Sequence, residues 1–138
     1  MTLEQELRAF LMADAAITAQ LGDVGAIYPA PAPQNCPSPF VTFQRITAER
    51  VYSNDGFSGL AGPIIQIDCW VESPELNGSY AAAKNLGEAV RRRLDGYVGP
   101  MGSIMTRGAT IESERDLYES QDKTRRVSFD FRIWYDET

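Results

Sequence analysis

Apolar residues near the start of the chain recur at helical spacing: Leu3, Leu7, Phe10 and Leu11 share one face. Thr2 and Gln5 have the spacing of a capping box, which predicts a helix starting at Leu3. Asp14 either continues this helix or caps a short second one through Ile17 and Leu21, with Gly22 as the stop. A second long helix is predicted from Tyr80 to about Asp95. Ser73-Pro74 ends the preceding strand, Asn77-Gly78 reads as a loop and Ser79 as the cap. Ala83, Leu86, Val90, Leu94 and Tyr97 make its buried face, and ~16 helical residues span roughly 24 Å. Gly87 lies on the same side, where it lets a strand approach closely. Arg91, Arg92 and Arg93 fill the last turns, placed to suit the helix dipole or to meet a partner's carboxylates.

Strand patterns occupy most of the remainder. Residues 24–28 read as a short strand. Pro29, Pro31, Pro33, Pro37 and Pro39 then space a segment that is neither helix nor central strand. It is a stiff surface connection or an arm lying on a neighbouring subunit. Residues 40–52 are β-rich, Ser53-Asn54-Asp55-Gly56 is a turn, and alternation resumes over 64–72, where Ile65, Ile67, Cys69 and Val71 interleave with Gln66, Asp68 and Trp70. These two runs predict a long antiparallel hairpin with its tip near 53–62. A weaker strand follows at 103–113, and the polar stretch 114–123 reads as a turn or bulged connection. The last strand is the clearest: Val127, Phe129, Phe131, Ile133 and Tyr135 alternate with Ser128, Asp130, Arg132 and Trp134. One apolar and one mixed face describe an antiparallel sheet covered on one side. With no repeat or linker, residues 1–138 are expected to form one soluble α+β domain.

The chain has 138 residues, a net charge of −6 and no histidine. Without His there is no imidazole catalysis, no His-containing zinc site and no Ser-His-Asp triad. The two cysteines, Cys36 and Cys69, cannot close a standard zinc site, and Cys69 reads as a free core residue. No cofactor or metal is expected. No apolar run reaches the ~18–20 residues that span a bilayer, and Glu4 and Glu6 stand where a signal peptide carries basic residues, so folding in a cytoplasm is expected. The acidic balance argues against sequence-independent nucleic-acid binding. Of the basic residues 11 are Arg and only Lys84 and Lys123 are Lys, a bias that protein interfaces share.

Catalytic motifs are missing: no G-x-S-x-G elbow, no P-loop, no G-x-G-x-x-G after a strand. Glu112, Glu114, Asp116 and Glu119 alternate with Ser113, Arg115 and Leu117 as a solvated strand end does, leaving a docking surface as the functional alternative. Asp68 and Asp130 belong to the mixed face; should that face be buried between subunits, Arg132 and Arg45 are the expected partners. Trp70 and Trp134 stand on the same polar side, and Tyr52, Phe57 and Tyr118 at loop-like positions. Such aromatics form either a second small core under a loop or the anchors of an interface.

The order of motifs carries a resemblance. Residues 14–23 (DAAITAQLGD) lead into Ile27-Tyr28-Pro29 and Ala32-Pro33-Gln34-Asn35. Residues 40–46 (FVTFQRI), 52–56 (YSNDG) and 65–70 (IQIDCW) follow, then 114–119 (ERDLYE) and 127–135 (VSFDFRIWY). Over nearly the whole chain this resembles the tail-completion, or tail-terminator, family of long-tailed bacteriophages and of phage-derived gene transfer agents. Residues 74–79 make a longer strand-to-helix link than the family usually has, and Pro63 is unusual at a strand start. The resemblance implies two main helices packed on one face of a mostly antiparallel β-sheet with a long β-hairpin. It implies a structural, non-enzymatic protein of the virion tail, assembled in the bacterial host cytoplasm. There a hexameric ring of copies caps the tail tube, stops its polymerisation and offers the head-side connector protein a joining surface. DNA passes through the lumen without specific binding, and no membrane is involved. An acidic lumen would repel phosphates. Ring closure needs a heterologous contact repeated by rotation. The expected subunit or tube contacts are Arg50, Tyr52, Asn54, Asp55 and Phe57 near the hairpin tip, and Asp116, Leu117, Tyr118 and Glu119 at the second turn. A head-completion or connector-adaptor ring is the alternative. A small ligand-binding domain or carboxylate-only enzyme is a more distant one.

Overall fold

A computed structural model describes residues 2–72 and 76–137, with the side chains of all of these except Phe57 and residues 76–78. Ser73 and Pro74, read above as the strand end and part of a lengthened link, lie outside the described residues, as does the Phe57 side chain.

The first helix, α1 (Leu3–Met12), starts at the capping box: Thr2 N donates to Gln5 Oε1 (2.8 Å) and Gln5 N donates to Thr2 Oγ1 (3.3 Å). Asp14 caps the short α2 (Ala15–Thr18), its Oδ1 accepting from Ala16 N at 2.8 Å. Gly22 is not the helix stop. A Cβ there would lie 2.6 Å from the carbonyl carbon of Ser38, and Gly22 N donates to Pro39 O at 2.8 Å. The glycine therefore lets the proline-rich segment lie against the α2 exit.

Eight strands follow: β1 (Ile27–Pro29), β2 (Phe40–Arg45), β3 (Arg50–Ser53), β4 (Gly56–Ala61), β5 (Ile64–Glu72), β6 (Gly99–Met101), β7 (Ile104–Glu119) and β8 (Thr124–Asp136), with α3 (Leu76–Leu94) between β5 and β6. They form one curled, mixed sheet in which β1–β2 is parallel and every other pairing is antiparallel. Strand β8 is the spine. One edge pairs with β7 from Thr106↔Tyr135 to Glu119↔Thr124. The other pairs with β5 from Ile64↔Arg132 to Glu72↔Thr124 and then with β4 at Ala61↔Tyr135. So β4 and β5 lie end to end along one edge, broken at Gly62-Pro63.

The core lies where α1 and α3 meet the sheet. Leu3, Leu7 and Leu11 of α1 join Ala83, Leu86, Val90 and Leu94 of α3, the Ile65, Ile67 and Cys69 phase of β5, and Val127, Phe129, Phe131 and Ile133 of β8 in one cluster. Helix α3 packs on β5 and β8, while α1 touches β1 and β6. Gly87 faces β8, its hypothetical Cβ 3.1 Å from Val127 Cγ1. Fully burying each Leu, Ile or Phe contributes ~1.5–3 kcal/mol. The partly exposed ion pairs contribute ~0–1 kcal/mol each, so the cluster and not the surface charge holds the fold. Both cysteines are free, and burial pushes the Cys69 thiol pKa up.

Several sequence expectations change. The third helix begins at Leu76, so Asn77-Gly78 is helix and not loop, and Ser79 is a buried helical residue instead of the cap. The first strand starts at Ile27; Val24 is exposed, and Arg8 of α1 fixes β1 by donating to Ile27 O (2.7 Å) and Gly25 O (3.0 Å). Residues 114–119 are not a turn. They continue β7 through a register shift between Ile111 and Ser113, and the connection shrinks to residues 120–123. Arg93 does more than suit the helix dipole: Nε donates to Phe10 O at 3.0 Å and the guanidinium lies 3.8 Å from the Phe10 ring centroid, joining α3 to α1.

Candidate functional site

Because strand residues alternate, everything β2, β5, β8 and β7 do not bury against the helices points to the opposite face. The registers set these residues in cross-strand rows. Phe40, Trp70, Arg126 and Leu117 make one row; Thr42, Asp68, Ser128 and Arg115 the next; Gln44, Gln66, Asp130 and Ser113 the third. The first row is aromatic. Phe40 and Trp70 stack at 5.9 Å with planes 13° apart, and the Arg126 guanidinium lies 4.8 Å from the Trp70 ring centroid. Trp70 Nε1 donates to Thr42 Oγ1 at 2.9 Å, which fixes the indole.

The second row is polar and largely closed to solvent. Asp68 is only 5% exposed. Its Oδ2 accepts from Gln66 Nε2 at 2.9 Å and lies 3.9 Å from Arg126 Nη1, while Oδ1 has no donor among the described residues. Asp130 meets Ser113 Oγ at 2.9 Å and Arg115 Nη1 at 3.4 Å. Arg126 and Arg115 are thus the partners of these aspartates within the chain. Arg132 instead holds Glu49 and Glu112, and Arg45 holds Glu4. Over the first two rows the curl of the sheet leaves a groove of about 1020 Å³, walled by Pro31 of the proline-rich segment and by Leu117 and Asp122 at the β7–β8 end.

The sequence-predicted contact residues do not come together. Arg50, Tyr52, Asn54 and Asp55 lie on the β3–β4 arm, beside the C-terminal end of β8. Asp116, Leu117, Tyr118 and Glu119 pair with the other end of β8, roughly 36 Å away at ~3.3 Å per residue. On the arm, Arg50 is held by two hydrogen bonds to Glu137 (2.8 and 2.9 Å), and Tyr52 is 68% exposed with Ile46 and Val51 near it in sequence. At the far end the four residues divide between faces. Asp116 accepts from Lys84 of α3 at 3.2 Å, which raises the lysine's pKa, and Arg125 lies 4.6 Å from the Tyr118 ring centroid. Leu117, Tyr118 and Glu119 all line the groove. Tyr80, Leu117 and Tyr118 leave apolar surface exposed there.

The floor of the groove escaped the sequence reading as a unit. Asp68 and Trp70 were visible as the polar phase of β5, but joining them to Phe40, Thr42 and Arg126 needs the strand register. Trp134 is no free anchor: it covers Gly62, with the Arg132 guanidinium 5.6 Å from its ring centroid. Among the described residues no group of three Cys, Asp or Glu side chains is arranged to hold a metal ion. What remains is exposed apolar surface at each end of β8 and an acidic groove with an aromatic floor. That equipment suits binding.

Comparison with known proteins follows the same direction. The family model described as tail completion protein gp17 matches residues 5–136. No curated protein sequence matches the chain. A chain of the solved structure titled "Virion of native gene transfer agent (GTA) particle" superposes with a TM-score of 0.74 at 21% identity, covering 97% of this chain and 94% of that one. At that identity the likeness establishes the fold.

Proposed function

We propose that this chain, which belongs to the tail completion protein gp17 family and is a structural component of the virion at the tail, closes into a ring that caps the tail tube. The ring stops tube polymerisation and presents the surface to which the head-side connector protein joins. DNA passes through the lumen without specific contacts. The chain acts by binding geometry and catalyses nothing; hexameric closure is the expected stoichiometry.

One observation carries this reading beyond family membership. A closed ring requires two different, complementary patches on each subunit, because heterologous contacts alone repeat by rotation. Exposed apolar surface occurs at the two ends of β8: Ile46, Val51 and Tyr52 around the β3–β4 arm, and Tyr80, Leu117 and Tyr118 at the β7 end. Patches at opposite ends of one rigid spine suit a head-to-tail contact better than a two-fold one. The Arg50–Glu137 pair stiffens the arm and limits the entropy lost on docking.

Labelling tests the placement. With a gold-binding tag on the C-terminus, electron micrographs of purified tails are expected to show a single density at the head-proximal end. Label spread along the tube, or at the distal tip, would contradict the reading.

A further inference from the structure

We propose that the groove over Phe40, Trp70 and Asp68 seats an extended basic segment of a second virion protein. Its arginine or lysine heads meet Asp68 and the acidic rim, and its apolar side chains lie on the Trp70 indole. The identity of the partner as a virion protein rests on the function proposed above; the chemistry of the occupant does not.

Charge selects the occupant first. Among the described residues, Asp68, Glu72, Glu119 and Asp122 line the groove against Arg126 alone. Nucleic acid and anionic lipid are repelled by such a surface, whereas cationic side chains are drawn to it. The second observation is the orphaned carboxylate oxygen. Asp68 Oδ1 has no donor among the described residues although the side chain is only 7% exposed, so this carboxylate at the groove floor keeps acceptor capacity that the fold does not use.

The floor selects the shape. A stacked Phe40–Trp70 pair, with Leu117 and Tyr118 lining the same groove across Arg126, offers apolar area that a small cation would leave uncovered. About 1020 Å³ lies at the upper end of the volumes that enclose drug-sized ligands, enough for several residues of extended chain. Most of the chain's own cations are poor candidates. Arg45, Arg50, Lys84, Arg107, Arg115 and Arg132 are all held in ion pairs within the fold. To use one of these, a second copy would have to break such a pair, whereas a different protein with unpaired basic residues would not.

Photo-crosslinking in the assembled particle tests this. Benzoylphenylalanine replaces Gln44, an exposed groove residue outside both proposed ring patches, and the cross-linked peptide is sequenced. The expected product joins Gln44's position to a Lys- or Arg-bearing segment of another virion protein, with a yield that falls roughly tenfold when Glu72→Lys and Asp122→Lys are added. Cross-links to this chain itself, to nucleic acid or to lipid, or a yield indifferent to the charge reversals, would overturn the proposal. A second arm uses purified protein and a short synthetic peptide alternating Arg and Val, read by tryptophan fluorescence. It should bind roughly tenfold tighter than the matching Glu–Val peptide; equal affinities count against the groove. Ring mass, measured on the same proteins, is expected to be unchanged by the two charge reversals. Failure of the unmodified protein to form rings would therefore count against the proposed function, not against the groove.

Discussion

The indole of Trp134 covers the bare Cα of Gly62: a Cβ there would press into Cζ3 and Cε3 and lie 2.7 Å from Cη2. This contact sits at the break between β4 and β5. Gly62 N donates to Glu49 O (2.9 Å), Arg132 Nη1 donates to Gly62 O (2.7 Å) and Ile133 N donates to Pro63 O (3.0 Å). The break is thus a built joint that sets where the β3–β4 arm leaves the sheet.

Gly62→Ala is expected to destabilise the protein by about 1–3 kcal/mol, since a rigid ring must move to admit the methyl group. Adding Trp134→Ala should remove most of that penalty. Urea unfolding of the two single variants and the double variant measures the coupling, and simple additivity would show that the ring and the glycine do not depend on each other.

Glu6 gives the fold an acid-sensitive clamp. Its carboxylate accepts from Ser103 Oγ at 2.6 Å and from Ser103 N, and it lies where a Cβ on Gly102 would be 2.7 Å from Oε1. The Ser103 hydroxyl first, and then its backbone N–H, hold the Glu6 carboxyl below the ordinary glutamate value. A depressed carboxylate binds fewer protons folded than unfolded. Its contribution is complete above the unfolded value of about 4.3 and is lost as pH falls through the lower folded value. Urea midpoints should therefore fall on acidification below about pH 4.3, less steeply in Glu6→Gln. An unchanged slope in that variant would mean the clamp does not titrate with folding.

Arg93 and Arg92 are adjacent in sequence and unequal in structure. Arg93 donates to Phe10 O and covers the Phe10 ring, whereas the Arg92 side chain is mostly exposed beside Glu88. Arg93→Lys should cost about 1 kcal/mol, because an ammonium lacks the planar fork that makes both contacts at once. Arg92→Lys should stay within about 0.5 kcal/mol of the parent. Thermal midpoints of the two variants separate the roles; equal shifts would contradict them.

Tyr52→Asp on the arm and Leu117→Asp at the far end of β8 are each expected to lower the ring fraction measured by native mass spectrometry. Far-UV circular dichroism should stay unchanged. Mixing the two variants in equal amounts is a sharper check. A head-to-tail contact leaves one intact interface between a Tyr52→Asp and a Leu117→Asp subunit, so mixed dimers should form where neither variant pairs alone. Pairing restricted to identical subunits would contradict a heterologous interface.

What the sequence disclosed and what it concealed differ in physical kind. Local chemistry was legible: Thr2 and Gln5 cap α1, and the alternation of 127–135 reports which phase of β8 is buried. The start of α3 was concealed because Asn77-Gly78 has loop propensity, which is a weak prior that packing of Ser79 and Ala83 against the core overrides. The end of β7 was concealed because its polar run looks like a turn until Lys84, Arg125 and Arg126 supply opposite charges and ring partners from α3 and β8. The distance between the two exposed apolar surfaces was beyond reach of any local pattern. It depends on β4 and β5 sharing one edge of β8, a long-range pairing that leaves no mark on either segment alone.

Tail length in the assembled particle tests the central claim most directly. Particles made without this chain, measured by electron microscopy, should carry tubes of broad and increased length that fail to join filled heads, and supplying the chain in trans should restore a single length. Tubes of normal, uniform length that still join heads in its absence would contradict a terminating ring.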